Sequence, residues 1–308
     1  MKDIIPPVEK NKLVEELTKD KFIRNTNFGN NEIYEITAHN SPNVMKEIGR
    51  LREYTFREAG GGTGKEIDID AYDTQEDPYI QLLVWNPVEK EILGAYRYFS
   101  CKPCKSANHL EKLATAELFH FSQEFVDQYM PYMIELGRSF VQPKYQSTHS
   151  RNLLFTLDNL WDGLGALVVD HPETKYFFGK VTMYQNYNKE ARDYIIYFLK
   201  TYFGDQDHLV YPKQPIELIT PEEDLKKVFH GNDYKADYKI LSQRIRKLGQ
   251  TIPPLINSYM NLSPTMKMFG TALNEHFGNV EETGIMITIK DLYKTKSDRH
   301  IESYKNQK

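Results

Sequence analysis

The sequence predicts an α/β fold in which helices flank a central mixed sheet. Two patterns support the prediction: segments with the period-two apolar alternation of strands, and longer segments in which apolar residues recur every three or four positions, as in helices. The two kinds alternate as β–α–β–β–α–β–α–β–α, and a last strong strand follows near the C-terminal end. The second and third strands are joined by a short turn, which indicates that the sheet begins with antiparallel strands.

Composition and charge narrow the class of protein. The 308 residues are 40% hydrophobic and 27% charged, the proportions of a globular protein with a sizeable core. A formal net charge of −4 argues against nucleic-acid binding, which needs a broad basic face. No apolar run reaches the roughly 18 residues of a membrane span. We therefore expect a cytoplasmic protein without a nucleic-acid partner; a peripheral contact with the inner face of the membrane is the alternative.

Two features suggest metal sites, and neither is complete. Cys101 and Cys104 form a C-x-x-C pair, which supplies two of the four ligands of a structural zinc. No pair of histidines follows at a spacing that would complete the site. The alternating acids Glu66, Asp68 and Asp70 lack the later Gly and Glu of a calcium-binding loop. We therefore predict no metal site.

The N-terminal half begins with a helical extension, residues 1–30, that contains a short amphipathic helix. The predicted core, residues 31–203, opens with a strand at 32–39 and a helix at 43–58. The glycine-rich stretch 60–65 lacks the spacing of a phosphate-binding loop, so we interpret it as a mobile loop that covers a cleft. A hairpin and an amphipathic helix follow, with strands at 79–86 and 91–99 and the helix at 117–128.

Four further elements complete the predicted core: a central strand at 133–141, a helix at 152–169, a strand at 175–183 and a helix at 189–203. Residues 204–250, rich in charges and proline, predict an inserted surface segment that ends in a helix. Residues 251–295 return to the same domain with a strong strand at 284–289. Residues 296–308 form a polar tail, which we expect to fray.

Two charged residues, Glu135 and Arg138, interrupt the apolar pattern of the central strand. Charged residues in such a strand are paired, functional or both. The following loop carries Lys144 and Arg151 but no acid, and it leads into the start of a helix. Free N–H groups and the helix dipole attract anions at that position. The stretch therefore predicts a site for a phosphate or pyrophosphate group.

Charged motifs occur in a fixed order on both sides of this strand. They are Arg52-x-x-x-Phe56, Asp70-x-x-Asp73, Gly94-x-x-Arg97, Glu135-Leu-Gly-Arg138-Ser-x-Val141 and the distal Ile252-Pro-Pro254-Leu-Ile-x-x-Tyr259. From about residue 45 to 295 the chain resembles the acyl-carrier-protein-dependent branch of the GNAT acyltransferases. That branch includes autoinducer (acyl-homoserine lactone) synthases, N-acyl amino acid synthases and the hemolysin-like ornithine- and glycine-lipid N-acyltransferases. The resemblance implies the GNAT fold, in which two central strands of the sheet splay apart.

The resemblance also implies three groups of site residues. Glu135, as general base, and Arg138 would be catalytic. The pocket for the amine substrate would be formed by Arg52, Phe56, Asp70, Asp73 and Arg97. The phosphopantetheine of the acyl donor would run along Val141, Lys144, Gln146, Ser147, His149 and Arg151. A purely structural ion-pair network of the charged residues is the alternative.

The function implied is an N-acyltransferase of glycine- or ornithine-lipid biosynthesis. It would move a long-chain acyl group, with or without a 3-hydroxyl, from acyl carrier protein to the amine of an amino acid. No cofactor would be bound permanently, and the donor would be acyl-ACP or acyl-CoA. The stretch from Gln146 to Arg151 lacks the glycines of the usual CoA loop, which favours acyl carrier protein. The alternatives are a CoA-dependent acyltransferase of small amines and a non-catalytic acyl-binding module.

An acidic carrier protein needs a basic docking surface. The candidates are Lys144, Arg151, Lys175, Lys180, Lys189 and Arg192, and the alternative is an ordinary solvated face. One departure from the lipid enzymes concerns the acceptor. Asn274-Glu-His-Phe277 stands where those enzymes have an Asp before a distal Phe, which leaves the identity of the amine open.

Overall fold

The computed structural model describes residues 1–102, 107–146 and 155–308. The chain divides into two compact units. The first is formed by Met1–Cys101, Ile134–Thr174 and Tyr293–Lys308, and the second by Lys102–Met133 and Lys175–Leu292. Each unit combines strands with helices, and the predicted α/β class is confirmed.

Strands and helices are interspersed along the described residues. The strands are β1 (Phe22–Asn25), β2 (Glu32–Ile36), β3 (Ile80–Asn86), β4 (Glu91–Ser100), β5 (Phe119–Phe121), β6 (Met133–Val141), β7 (Tyr176–Met183), β8 (Val210–Pro212), β9 (Lys267–Asn274) and β10 (Val280–Thr288). The α-helices are α1 (Lys10–Glu16), α2 (Pro42–Ala59), α3 (Ala71–Thr74), α4 (Gln123–Gln128), α5 (Thr156–Asp170), α6 (Lys189–Phe203), α7 (Glu222–Val228), α8 (Tyr234–Lys247), α9 (Pro254–Met260), α10 (Lys294–Ser297) and α11 (Ser303–Lys305). Within the described ranges, no helix combines the length and apolar character that a transmembrane segment needs.

The first unit is built on five strands in the order β1-β2-β3-β4-β6, and each neighbouring pair is antiparallel. Helix α5 packs against β3 so closely that a Cβ at Gly163 would lie 2.4 Å from the Leu82 side chain. Helix α2 lies on the other face, where Phe56 meets Phe140 of β6 with ring centroids 6.5 Å apart. Leu82 lies opposite Tyr96 of β4, whereas Phe140 lies opposite Ala95. Neighbouring residues of a strand point to opposite faces, so α5 and α2 cover the two sides of this sheet.

Helix α2 begins and ends where its sequence predicts. Pro42 occupies the first turn, where its missing N–H costs nothing. Gly60 ends the helix with a φ of +96°, a left-handed conformation that suits glycine. The apolar stripe formed by Val44, Ile48 and Leu51 is fully buried. Burial of this stripe fixes the orientation of α2 about its own axis.

The glycine-rich stretch after α2 is an anchored turn rather than the predicted mobile loop. The carboxylate of Glu53 accepts hydrogen bonds from the N–H of Thr63 (3.0 Å), from its hydroxyl (2.7 Å) and from the N–H of Gly64 (2.8 Å). Gly62 and Gly64 have φ values of +93° and +72°. The glycines therefore supply a backbone geometry that other residues adopt only with strain.

The second unit contains the antiparallel strands β7-β10-β9 and the small sheet β5-β8. Helices α6 and α8 pack together, with Phe198 and Tyr238 in ring contact and the hydroxyl of Tyr202 donating to Asp237 at 2.6 Å. Residues 204–250, predicted as a surface insertion, thus contain β8, α7 and α8, and α8 is part of the core of this unit. The helix predicted at 117–128 divides into β5 and α4, and Ser122 caps α4.

The C-terminal tail packs on α5 instead of fraying. Ile301 and Tyr304 are buried. A Cβ at Gly165 of α5 would lie 2.1 Å from the carbonyl oxygen of His300, so the two segments are in direct backbone contact. His300 Nδ1 lies 2.8 Å from a carboxylate oxygen of Asp162. The prediction of a frayed tail is wrong because its polar side chains pair with carboxylates of α5 rather than with water.

Candidate active site

Six charged residues of the first unit form one network, here called the Asp–Arg cluster. Its members are Arg52 of α2, Arg97 of β4, Arg138 of β6 and the acids Asp68, Asp70 and Asp73 beside and within α3. Three positive and three negative charges cancel. The structure thus brings together Arg52, Asp70, Asp73, Arg97 and Arg138, as the sequence predicts, and it adds Asp68.

The inner part of the cluster is closed to solvent. Arg52 Nη1 lies 3.0 Å from Asp73 Oδ2, and both side chains are completely buried. Arg52 also donates to Gln81, which in turn donates to Asp73 at 3.0 Å. Burial alone would raise the pKa of Asp73, but Arg52 and Arg97 outweigh it and hold that pKa well below its usual value. This part ties α2, α3 and β3 together, which is a structural role.

The outer part of the cluster reaches the surface. Asp70 caps α3 in a reciprocal arrangement with Asp73, and its carboxylate accepts from Arg97 Nη1 at 2.6 Å. Arg138 Nε lies 2.8 Å from Asp68, and Arg138 Nη2 lies 3.6 Å from Asp70. The Asp70 side chain is 27% exposed and that of Arg138 15%, whereas the other four are at most 2% exposed. An incoming substrate can therefore contact Arg138 and Asp70 before any other member.

A β-bulge directs Arg138 into this cluster. Glu135 and Arg138 are three positions apart, so on a regular strand they would point to opposite faces. Opposite Tyr96 of β4, however, β6 contributes two residues, Arg138 and Ser139. Arg138 has a φ of +51° at this point, in the left-handed region that a glycine normally occupies in such a bulge. That conformation costs about 1–2 kcal/mol, and strain of this kind is common at functional sites.

The predicted base, Glu135, lies on the same face of the sheet as Arg97. Its side chain is 1% exposed and accepts a hydrogen bond from the hydroxyl of Tyr79, which immediately precedes β3. The Tyr79 ring stacks on Phe99, the residue opposite Glu135 on β4, with centroids 5.1 Å apart. The Arg97 guanidinium lies 4.9 Å from the Tyr79 ring centroid. Tyr79 therefore connects the predicted base with the Asp–Arg cluster.

Sequence reasoning missed Tyr79, Gln81 and Asp68. Period two along β3 puts residues 79 and 81 on one face, so the alternation could have indicated the first two. Asp68 alternates with Asp70 in the sequence, but its pairing with Arg138 depends on the bulge. Phe56, predicted to bind substrate, is buried against Phe140 of β6.

The predicted donor-binding residues are only partly described. Ser147, His149 and Arg151 lie outside the described residues. The side chain of Gln146 donates to the carbonyl of Val141, the last residue of β6, at 2.6 Å. Lys144 Nζ lies 2.8 Å from Glu91, which also accepts from Tyr145. Burial would raise the pKa of Glu91, but Lys144 and its other donors lower it to about 2, so the charge of Lys144 is already matched.

Two residues of the predicted basic docking surface, Lys180 and Arg192, are mostly buried and paired with acids. Lys180 pairs with Glu282, and Arg192 pairs with Asp193 at 2.6 Å and with Glu281 at 2.7 Å. The side chains of Lys180 and Arg192 are only 12% and 4% exposed. Lys189 also pairs with Glu281, at 2.8 Å. We call Lys180, Lys189, Arg192, Asp193, Glu281 and Glu282 the β10 cluster. Lys175 is exposed, over the ring of Tyr132.

Comparisons with known proteins agree with the resemblance that the motifs indicate. Residues 51–156 match the family described as Acetyltransferase (GNAT) domain. Over its full length the chain is 55% identical to the glycine N(alpha)-acyltransferase of Phocaeicola vulgatus, of which it covers 95%. It is 56% identical, over 99% of its length, to the glycine N(alpha)-acyltransferase of Bacteroides thetaiotaomicron, of which it covers 91%.

A solved structure with similarity to this chain is that of a CoA-dependent acyl-homoserine lactone synthase, BjaI, with SAM and isopentyl-CoA. The TM-score is 0.40 and the identity 12%, over 89% of each chain, which is too distant to transfer residue roles. The two curated relatives match nearly end to end at more than half identity. The chain therefore belongs to their family of GNAT-type N-acyltransferases.

Proposed function

We propose that this enzyme transfers a long-chain fatty acyl group from acyl carrier protein to the α-amine of an amino acid, with glycine as the preferred acceptor. The names of the two relatives support glycine. The structural observation that carries the proposal is the exposed edge of the Asp–Arg cluster. Arg138 and Asp70 present a cation and an anion 3.6 Å apart, the charge pattern that complements a zwitterion.

The acceptor would lie across this edge with its carboxylate on Arg138. A guanidinium can donate two parallel hydrogen bonds to a carboxylate, which fixes the orientation of the amino acid. The ammonium group would lie beside Asp70 until it loses a proton. Arg138 and Asp70 would recognise the carboxylate and the amine, which all amino acids share. Glycine has no side chain, so it fits whatever space surrounds this pair, and that space would limit larger acceptors.

The reaction requires a neutral amine that attacks the thioester carbonyl carbon. The new C–N bond forms as a tetrahedral intermediate, the C–S bond then breaks, and the thiol leaves with a proton. Glu135 is the proposed base. Because its side chain is almost completely buried, proton transfer would pass through one water rather than by direct contact. The bulge at Arg138 interrupts the β4–β6 ladder, and backbone N–H groups there are the proposed donors to the oxyanion.

The choice of acyl carrier protein over CoA rests on the residues after β6. The stretch from Gln146 to Arg151 contains no glycine, whereas close approach of backbone to a pyrophosphate favours glycine. Acyl-CoA is the second candidate donor. A long-chain N-acyl amino acid is amphipathic, so the product fits aminolipid biosynthesis and a peripheral contact of the enzyme with the membrane surface.

The test is a reconstituted acyl transfer followed by mass spectrometry. Purified protein is mixed with glycine and either long-chain acyl-ACP or the matching acyl-CoA, and free thiol is measured in parallel. We expect N-acylglycine and one equivalent of thiol with acyl-ACP at the higher kcat/KM. Faster turnover with acyl-CoA would overturn the donor assignment. Absence of product with glycine and with every other amino acid would overturn the proposed function.

The variant Glu135→Gln separates an enzyme from an acyl-binding module. The amide has the shape of the carboxylate but cannot accept a proton from the amine. We expect the variant to fold, to bind the acyl donor and to lose turnover. Full turnover by Glu135→Gln would remove Glu135 from the proposed mechanism.

A further inference from the structure

Tyr79 is enclosed on several sides, and its hydroxyl is directed at the predicted base. The side chain is fully buried. Its ring stacks on Phe99 and meets the edge of Tyr72, with centroids 5.1 and 5.6 Å apart. Its backbone N–H donates to the carbonyl of Tyr72 at 2.8 Å. These contacts leave the ring one orientation, and in that orientation the hydroxyl donates to Glu135.

We propose that Tyr79 is a positioning residue, which holds the Glu135 carboxylate ionised and oriented for proton transfer. The inference rests on the proposed function, because it assigns a partner to the base named there. A hydrogen bond donated to a carboxylate favours its charged form, and burial disfavours that form. Burial without such a donor favours the protonated form of a carboxyl, which cannot accept a proton from the amine.

Tyr79 also connects the base to the place where we expect the acceptor. Arg97 lies over the Tyr79 ring, 4.9 Å from its centroid, and donates to Asp70 at 2.6 Å. Asp70 is the exposed acid of the Asp–Arg cluster. One guanidinium therefore contacts both the residue that orients the base and the carboxylate proposed to meet the ammonium group. The base and the acceptor site are fixed relative to each other through this contact.

A matched control lies on the next strand. Tyr98 of β4 is also buried, and its hydroxyl donates to the Glu35 carboxylate at 2.9 Å. Tyr98 pairs with Ile80 and therefore lies on the face opposite to Tyr79 and Glu135. The variants Tyr79→Phe and Tyr98→Phe each delete one hydroxyl that donates to a carboxylate, and each keeps the ring. Only the first touches the proposed base.

The experiment compares the pH dependence of kcat/KM for acyl transfer in wild type, Tyr79→Phe and Tyr98→Phe. We expect Tyr79→Phe to lower kcat/KM by about tenfold or more, because the base loses a hydrogen bond that a charged acceptor makes stronger than a neutral one. We also expect the acid limb of its profile to move to higher pH, because the base loses a donor to its ionised form. Tyr98→Phe is expected to keep the wild-type profile.

The outcomes separate this inference from the proposed function. An unmoved acid limb in Tyr79→Phe, with activity per folded molecule equal to that of Tyr98→Phe, would overturn the positioning role. If Glu135→Gln were inactive at the same time, the proposed function would stand without it. A fully active Glu135→Gln would instead overturn the positioning role, because Glu135 would not be the base, and would leave the proposed acyl transfer in place. Thermal unfolding of each variant shows how much of any loss is a loss of folded protein.

Discussion

The Asp–Arg cluster and the β10 cluster are two buried groups of six charges that look alike in the sequence. Each combines charged residues on strands of a sheet with charged residues on or beside a helix, and each contains ion pairs of 2.6–3.1 Å. They differ in two respects. Asp70 is 27% exposed, whereas the three carboxylates of the β10 cluster are at most 7% exposed. Only the first contains a residue with left-handed backbone, Arg138, among the charged residues of both clusters.

The difference teaches that charge within a strand does not identify a site. Both clusters satisfy the rule that buried charges are paired. An open carboxylate and a strained backbone mark the place where the structure keeps a charged pair available at some energetic cost. In the β10 cluster the same residue types link strand β10 to α6 and to β7, and its exposed member is a lysine, Lys189, at 34%, rather than a carboxylate.

The largest expected effect is the loss of stability when a buried carboxylate that pairs with an arginine is removed, and both clusters contain such a carboxylate. Asp73→Ala leaves the buried guanidinium of Arg52 without the carboxylate that pairs with it, and Glu281→Ala removes one of the two carboxylates that pair with Arg192. Each is expected to lower the free energy of unfolding by about 3–5 kcal/mol. Urea denaturation followed by circular dichroism measures it. A loss below about 1 kcal/mol in either variant would show that its cluster is not needed for stability.

The next prediction contrasts two arginine-to-lysine changes. Lysine keeps the charge but loses the two-pronged geometry of the guanidinium. Arg138→Lys is expected to reduce kcat/KM for acyl transfer by about 10- to 100-fold through weaker acceptor binding, and to change stability by less than about 1 kcal/mol. Arg192→Lys is expected to lower stability by about 1–3 kcal/mol and to leave kcat/KM per folded molecule unchanged.

The opposite result for the two variants would contradict the roles assigned to the two clusters. If Arg192→Lys impaired turnover and Arg138→Lys did not, the β10 cluster would be the site and the Asp–Arg cluster the structural network. The measurement is acyl transfer under saturating donor, with the fraction folded determined for each variant by near-ultraviolet circular dichroism.

Glu35, a carboxylate outside both clusters, tests how arginines affect the pKa of an acid in the protein. Among the residues that the structure describes, Glu35 has no arginine partner, and burial raises its pKa to about 6 although Tyr98 donates to it. A carboxyl whose folded pKa is raised binds its proton more tightly in the folded state, so it makes stability increase as pH falls from about 6 towards its usual value. Glu35→Gln is expected to remove that increase and to stabilise the protein by about 1–2 kcal/mol at pH 7.5.

Urea unfolding at a series of pH values between 4.5 and 7.5 checks this expectation. The matched variant is Asp73→Asn, because the pKa of Asp73 is lowered rather than raised. Its stabilising contribution is present at neutral pH and is lost only in strong acid, so that variant should be destabilised throughout the range. Equal behaviour of the two variants would contradict the role assigned to the arginines.

The smallest expected effect is at an exposed ion pair. Lys227 and Asp224 lie 2.8 Å apart on α7, with side chains 74% and 58% exposed. Solvent screens such pairs, so Lys227→Ala is expected to change neither unfolding nor turnover measurably. A clear loss of stability would show that surface pairs must also be included in the comparison.

The sequence predicted the α/β class, helix α2 and five members of the Asp–Arg cluster. Periodicity was sufficient for α2 because its apolar stripe and its Gly60 end are local features. The order of the charged motifs was sufficient for the cluster, since it carried the resemblance to a family. Local patterns could not predict the bulge at Arg138, because a positive φ at a non-glycine residue depends on the strand opposite.

Other misses have the same origin. Asp68 pairs with Arg138 only as a result of that bulge, and the inward pairing of Lys180 depends on the register between β7 and β10. The polar composition of residues 296–308 predicted exposure, whereas buried acids on α5 supply partners for them. In each case a residue far along the chain decides whether a charged side chain meets water or another charge.

The packing of the last segment on α5 has a consequence for biosynthesis. The first unit is assembled from three separate stretches, and Tyr293–Lys308 is the last of them to leave the ribosome. Until then Asp158 and Asp162 on α5 lack Arg299 and His300. The first unit can therefore be completed only after translation of the second, although its own strands β1 to β4 are made first. Nascent chains stalled before residue 293 should thus be more sensitive to protease in the first unit than the finished protein.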